Sequence, residues 1–139
     1  RCGLKAMESG RSVILHTGRG PDDARIKKTV SKLKRIGFSD LDVKLRSAAI
    51  IGTALGKVLK DILSATQLKR AATTGGDASY YVAKSLGIQA LEVVSPLAPG
   101  SPLCRIHADD PAVDRLEMTF KGGQVGKVNF FEQVLAGSA

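Results

Sequence analysis

Two places in this sequence set adjacent glycines between a short β-prone run and a segment of helical periodicity. The first is Ala72-Thr73-Thr74-Gly75-Gly76-Asp77, and the second is Phe120-Lys121-Gly122-Gly123-Gln124-Val125-Gly126. Glycine carries no Cβ, so the chain can turn tightly there and leave its backbone open to close approach. A strand that ends in such a turn and feeds a helix is the repeating element of α/β proteins. Two of them in 139 residues limit the fold more than any other feature.

The rest of the chain agrees with an α/β class. Leu4, Ala6 and Met7 suggest a first helix that ends at Gly10, and Ser12-Val13-Ile14-Leu15-His16 reads as a buried strand before a loop at Thr17-Gly18-Arg19-Gly20-Pro21. Asp22 and Asp23 stand at the start of a helix over 24–36, where they match its positive end. The clearest helix is 42–65, with Ile51, Ala54, Leu55, Val58, Ile62 and Leu63 on one stripe. Within it Ala48, Gly52 and Gly56 fall four apart, a spacing that admits a second backbone. Charges at Lys44, Arg46, Lys57, Lys60 and Asp61 argue for a helix in a water-soluble core rather than in a membrane.

Lys69 to Thr73 reads as a strand, and Ala78 to Leu86 as a helix with Asp77 as its N-cap and Gly87 at its end. Residues 88–94 suggest another strand. Pro96, Pro99, Gly100 and Pro102 mark a turn-rich connection, and Leu103–Ile106 and Leu116–Phe120 alternate as an antiparallel pair. Asn129 and Glu132 have capping-box spacing at the head of a last helix, Phe130 to Leu135. The expected architecture is α/β, a mixed sheet with helices packed on it, in one domain over 1–139.

Composition narrows the class further. Hydrophobic residues make up 43%, enough for a packed core, but aromatics only 4% with no Trp, so that core is aliphatic. No apolar run approaches the roughly 18 residues that a membrane crossing needs. Cys2 and Cys104 are too few and too far apart for a disulfide framework or a zinc site, which fits reduced thiols in the cytoplasm. The net charge of +8 is concentrated in residues 1–70, with 16 Lys/Arg against 6 Asp/Glu. Arg25, Lys27, Lys28, Lys32, Lys34 and Arg35 form the densest run, with no interleaved aromatics to stack on bases. It reads as a solvated helix face or as a surface that attracts anions.

A helix N-terminus presents unpaired N–H groups that suit phosphate oxygens, and in open α/β sheets ligands sit beyond the carboxyl ends of strands. The two Gly-Gly turns are therefore candidate phosphate-binding elements, although neither is a G-x-x-x-x-G-K-[ST] loop or a G-x-G-x-x-G turn. Asp77 either caps its helix or holds Mg²⁺ or a ribose hydroxyl. Lys121 is either a solvated strand end or a point charge on phosphate. His16 and His107 have no acid or nucleophile close in sequence and read as structural, and Asp109-Asp110-Pro111 as a turn.

Gly75-Gly76-Asp77-Ala78-Ser79, Leu86-Gly87-Ile88, Leu91-Glu92, Ala98-Pro99-Gly100-Ser101-Pro102, Lys121-Gly122-Gly123-Gln124-Val125-Gly126 and Phe130-Phe131 occur in this order. Together they resemble the C-terminal nucleotide-binding domain of the four-carbon acid sugar kinases, over roughly residues 10–136. Val13–Thr17 and Gly20-Pro21-Asp22-Asp23 are similar to that family's upstream strand and loop. The resemblance implies part of a larger two-domain kinase that moves the γ-phosphoryl group of ATP, with Mg²⁺, to a hydroxyl of a sugar acid such as threonate, erythronate or 3-oxo-tetronate. It implies nucleotide contacts at Gly75, Gly76, Asp77 and Ala78 and at Lys121, Gly122 and Gly123, with the acid sugar held by an N-terminal domain. It assigns no catalytic base and no metal ligand in this stretch, and implies that this stretch alone is inactive.

Ala78 stands where the family usually has Thr, Gly122 where it usually has Ser, and Val125 where it usually has Phe. The first two changes remove hydroxyls from the implied site, so a non-catalytic nucleotide-binding module is a second reading. A basic nucleic-acid-binding domain, resting on 25–46, is a third. Homo-oligomerisation is left open by the sequence.

Overall fold

A computed structural model of the chain describes residues 2–20, 22–123 and 126–138. Arg1, Pro21 of the upstream loop, Gln124 and Val125 of the second glycine turn, and Ala139 lie outside the described residues. The chain divides into two compact units, 1–47 and 48–139.

The first unit begins with α1 (Cys2–Glu8) and continues with α2 (Ala24–Arg35). Asp23 is the N-cap of α2: its carboxylate accepts from the Arg25 N–H at 2.9 Å and from the Arg19 N–H at 2.8 Å. The Arg25 guanidinium also donates to it, and these hydrogen bonds, the side-chain one foremost, hold its carboxyl well below the usual carboxylate range. The next helix, α3 (Asp40–Ala65), starts in this unit and ends in the second. Ser39 and Asp42 form a capping box at its head: Ser39 Oγ accepts from the Asp42 N–H at 3.1 Å and donates to the Asp42 carboxylate at 2.7 Å.

The strand expected at 12–16 does not form. Ile14 and Leu15 are exposed, and among the described residues of this unit no strand offers a ladder for 12–16 to join. An apolar run of five cannot satisfy its own backbone as a lone strand.

The second unit carries β1 (Arg70–Thr74), α4 (Gly76–Leu86), β2 (Ile88–Ala98), β3 (Ser101–Ala108), β4 (Glu117–Lys121) and α5 (Phe130–Ala136). The strands form one mixed sheet in the order β1-β4-β3-β2. β1 and β4 are parallel, and the other pairs are antiparallel. The expected mixed α/β sheet and the antiparallel pairing of Leu103–Ile106 with Leu116–Phe120 are both present. The proline-rich stretch is more regular than expected. β2 runs through Pro96 to Ala98, and only Pro99-Gly100 turns, with φ of +71° at Gly100. Pro96 is tolerated because β2 is an edge strand.

Leu103 and Ile106 lie an odd number of residues apart on β3, so they face opposite sides of the sheet. Ile106 and Met118 pack with Leu63 of α3 and with Val82 and Leu86 of α4. On the other face Leu97 and Leu103 pack with Phe130 and Val134 of α5. The close approach expected at Gly52 and Gly56 is where α3 meets α4. A Cβ on Gly52 would lie 2.7 Å from Tyr81 Cβ, and one on Gly56 would lie 2.5 Å from Ser85 Cβ.

Candidate functional site at the ends of β1 and β4

The parallel pairing runs in register from Arg70↔Glu117 to Thr74↔Lys121. Immediately beyond it the Gly75 N–H donates to the Lys121 carbonyl oxygen at 2.8 Å. Both glycine turns therefore leave the sheet side by side, at the carboxyl end of its only parallel pair among the described residues. Gly75-Gly76 opens directly into α4, and Gly122-Gly123 begins the segment that leads to α5.

Gly75 is the residue before α4, with φ of +99° and ψ of 114°, a conformation that suits glycine. The Ser79 N–H closes the first helical bond onto the Gly75 carbonyl at 2.8 Å. The N–H groups ahead of it have no intrahelical acceptor. No side chain caps them, because Gly75 occupies the N-cap. Asp77 was the expected N-cap and is not: it is the second residue of the helix, with an exposed side chain. Its charge still favours the positive helix end. The capping box expected at Asn129 and Glu132 also fails to form. Asn129 is the residue before α5, but its φ of −84° and ψ of 12° are not the extended values from which a cap side chain reaches back, and it makes no such bond.

Lys121 is half-buried. Its Nζ donates to the Gly122 carbonyl at 3.0 Å and lies 5.6 Å from the centroid of the Phe130 ring. Gly126 closes over this lysine with φ of +92°; a Cβ there would lie 2.9 Å from Lys121 Cε and 3.3 Å from Phe130 Cδ2. Beside the lysine is a cavity of about 410 Å³, within the size range of small-molecule sites. Thr74, Lys121 and Gly123 contribute to its lining from the strand ends. Gly126, Lys127, Val128, Phe130 and Phe131 contribute from the segment entering α5.

Of the residues singled out from sequence, Lys121 and Gly123 thus line the cavity. Gly75, Gly76, Asp77 and Ala78 follow the lining residue Thr74 in the chain but do not themselves line the cavity, and Gly122 touches Lys121 through its carbonyl. Sequence reasoning did not pick out Lys127, Phe130 and Phe131 as site residues. The paired Phe130-Phe131 was the available signal, in a chain with so few aromatics. Next to the site the hydroxyls of Thr73 and Ser79 are buried without a hydrogen-bond partner among the described residues. Among the described residues no group of three or more His, Cys, Asp or Glu side chains is arranged to hold a metal ion. His107 stands apart from the site on β3, with Nε2 3.3 Å from Glu92 Oε2.

Glycine turns at the carboxyl end of a parallel pair, an uncapped helix start and a lysine beside a cavity are features that suit an anionic ligand. The chain belongs to the family of nucleotide-binding C-terminal domains, whose model matches residues 3–131. It is 39% identical over 133 residues to a 3-oxo-isoapionate kinase of Paraburkholderia graminis, an alignment that covers 96% of this chain. It is 31% identical over 130 residues, 94% of this chain, to a 3-oxo-tetronate kinase of Pseudomonas savastanoi pv. phaseolicola. The chain spans 27% of the length of each of these two relatives. Among the described residues no helix is long and apolar enough to cross a membrane.

Proposed function

We propose that this domain holds the ATP of a kinase that phosphorylates a hydroxyl of a four-carbon acid sugar, of the threonate, erythronate or 3-oxo-tetronate type. The observation that supports the nucleotide part is the Gly75 N–H to Lys121 carbonyl bond, which ties the start of the first glycine turn to the lysine that lines the cavity. The sugar part rests on the resemblance and on the substrates named for the two kinase relatives.

In this reading the free N–H groups at the start of α4, from Gly76, Asp77 and Ala78, meet phosphate oxygens, and Gly75 supplies the turn that aims them. Lys121 adds a point charge, and Gly122 and Gly123 let the phosphate chain approach the backbone. Mg²⁺ is usually held by one or two carboxylates with phosphates and water, and the exposed Asp77 fits the carboxylate part of that set. The ion would neutralise charge on the transferring group. Catalysis would then be positioning and charge neutralisation. The bond from the γ-phosphorus to the ADP oxygen breaks, a bond to the sugar oxygen forms, and the hydroxyl proton passes to a base outside this chain.

ATP titration of the full-length protein by calorimetry tests the nucleotide part. Gly76→Val should weaken binding about tenfold or more, because a branched side chain would stand where phosphate meets backbone. Tight, salt-dependent binding of RNA or DNA without ATP affinity would sink the reading. Turnover of tetronates separates a kinase from a regulatory nucleotide-binding module. Ala78 and Gly122, which offer no hydroxyl, are the observation that favours the module.

A further inference from the structure

We propose that Arg70 and Glu117, at the opposite end of the parallel pair from the cavity, are positioning residues for the nucleotide site. The proposal rests on the nucleotide reading above. Arg70 and Glu117 are direct partners in the register of β1 and β4, as Thr74 and Lys121 are at the other end. Arg70 Nε donates to Glu117 Oε2 at 2.8 Å, and its Nη2 donates to the same oxygen. The guanidinium is thereby aimed across the sheet at α5. Its Nη1 donates to the carbonyls of Val134 at 3.0 Å and Leu135 at 2.8 Å. These are among the last carbonyls of α5, which have no acceptor role left within the helix. Gly137, with φ of +84°, leaves room for the fork: a Cβ there would lie 2.7 Å from Arg70 Nη2.

α5 therefore runs from the cavity back toward the start of β1 and β4, with Phe130 and Phe131 at one end and Arg70 at the other. A helix of seven residues is not stable by itself and takes its place from tertiary contacts. Its apolar contacts come from Phe130 and Val134. The charged anchor at its far end is Arg70. Loss of that anchor frees the helix to shift along its axis, carrying Phe130 away from Lys121 and Phe131 out of the cavity lining. The arginine need not touch the nucleotide to set its affinity.

The test uses the full-length protein. Arg70→Lys keeps the charge but loses the fork, and Glu117→Gln keeps the acceptor but loses the ion pair. Both should raise the Kd for ATP about tenfold at a temperature where thermal melting shows the protein folded. Both should also speed hydrogen exchange of the α5 amides without nucleotide. Lys60→Ala, which removes the Lys60–Asp110 ion pair elsewhere in the same unit, should leave ATP affinity unchanged. ATP affinity within twofold of wild type in both folded variants would overturn the proposal, as would unchanged exchange in α5. Wild-type protein with no measurable ATP affinity would overturn the nucleotide reading itself, and this proposal with it.

Discussion

The Gly75 N–H and the Lys121 carbonyl, 2.8 Å apart, join the ends of two strands that are far apart in sequence and fix the separation of the two glycine turns. The two glycines of the first turn do different work. Gly75 has φ of +99°, so Gly75→Ala should cost about 1–3 kcal/mol in urea unfolding. Gly76 has no atom within 4 Å of a built Cβ. Gly76→Ala should therefore leave stability within about 1 kcal/mol of wild type, or raise it, because alanine is the better helix former. Its effect should appear in ATP affinity instead. Equal losses of stability in both variants would contradict this division.

The α3–α4 contact sets where the start of α4 stands. Gly56→Ala would press its methyl against Ser85 Cβ at 2.5 Å and Val82 Cα at 3.1 Å. Overpacking of this kind costs about 1–3 kcal/mol, and the helix-propensity gain of about 1 kcal/mol offsets only part of it. A lowered urea midpoint is expected, and Ser85→Gly in the same chain should recover part of it by removing the facing carbon. Gly52→Ala should behave alike against Tyr81 Cβ and the Ala78 carbonyl, but with no rescue at Ser85.

What could be read from the sequence was mostly local. The Gly75-Gly76 turn and the four-residue spacing of Gly52 and Gly56 depend on neighbours within one or two helical turns, and both appear as expected. The α3 stripe holds only in part: Leu55 and Leu63 pack in the core, but Ala54 and Val58 are exposed and Leu59 packs there instead. The pairing of β1 with β4 was not legible. The two strands are separated by a helix and a hairpin, and no local pattern says that the chain returns to lie beside β1. Arg70 and Glu117, 47 residues apart, stayed invisible for the same reason. Residues 12–16 misled because apolar character marks burial only where a neighbour exists to provide it. Asp77 misled because its preference for the N-cap competes with the positive φ that the turn requires, and Gly75 meets that requirement.

Acid should weaken the 48–139 unit partly through Asp110. The Lys60 ammonium, 2.8 Å away, and the Ala112 N–H, 3.0 Å away, hold its carboxyl below the ordinary range, the lysine first. A depressed folded pKa adds stability that is fully present above the unfolded value, about 4, and is lost as pH falls through the folded value. Asp110→Asn cannot titrate and so lacks this dependence. Urea midpoints from about pH 7 down to about 2 should fall less steeply for the variant below about pH 4. Parallel acid limbs would show that the Lys60 contact is too well solvated to matter.

Arg115 is the one non-glycine residue with positive φ among the described residues, at +65°. Its N–H donates to the Ile106 carbonyl at 2.9 Å, so the loop between β3 and β4 holds the arginine in this conformation. An L-residue in the left-handed region costs about 1–2 kcal/mol relative to glycine. Glycine in turn loses about 0.5–1 kcal/mol more chain entropy on folding. Arg115→Gly should therefore stabilise by about 0.5 kcal/mol or slightly more, while Arg115→Ala, which keeps the strain and removes only an exposed side chain, should change little. Thermal melts of the two variants side by side separate the backbone effect from the loss of the side chain. A larger gain from alanine than from glycine would show that the side chain, not the φ angle, is the source of strain.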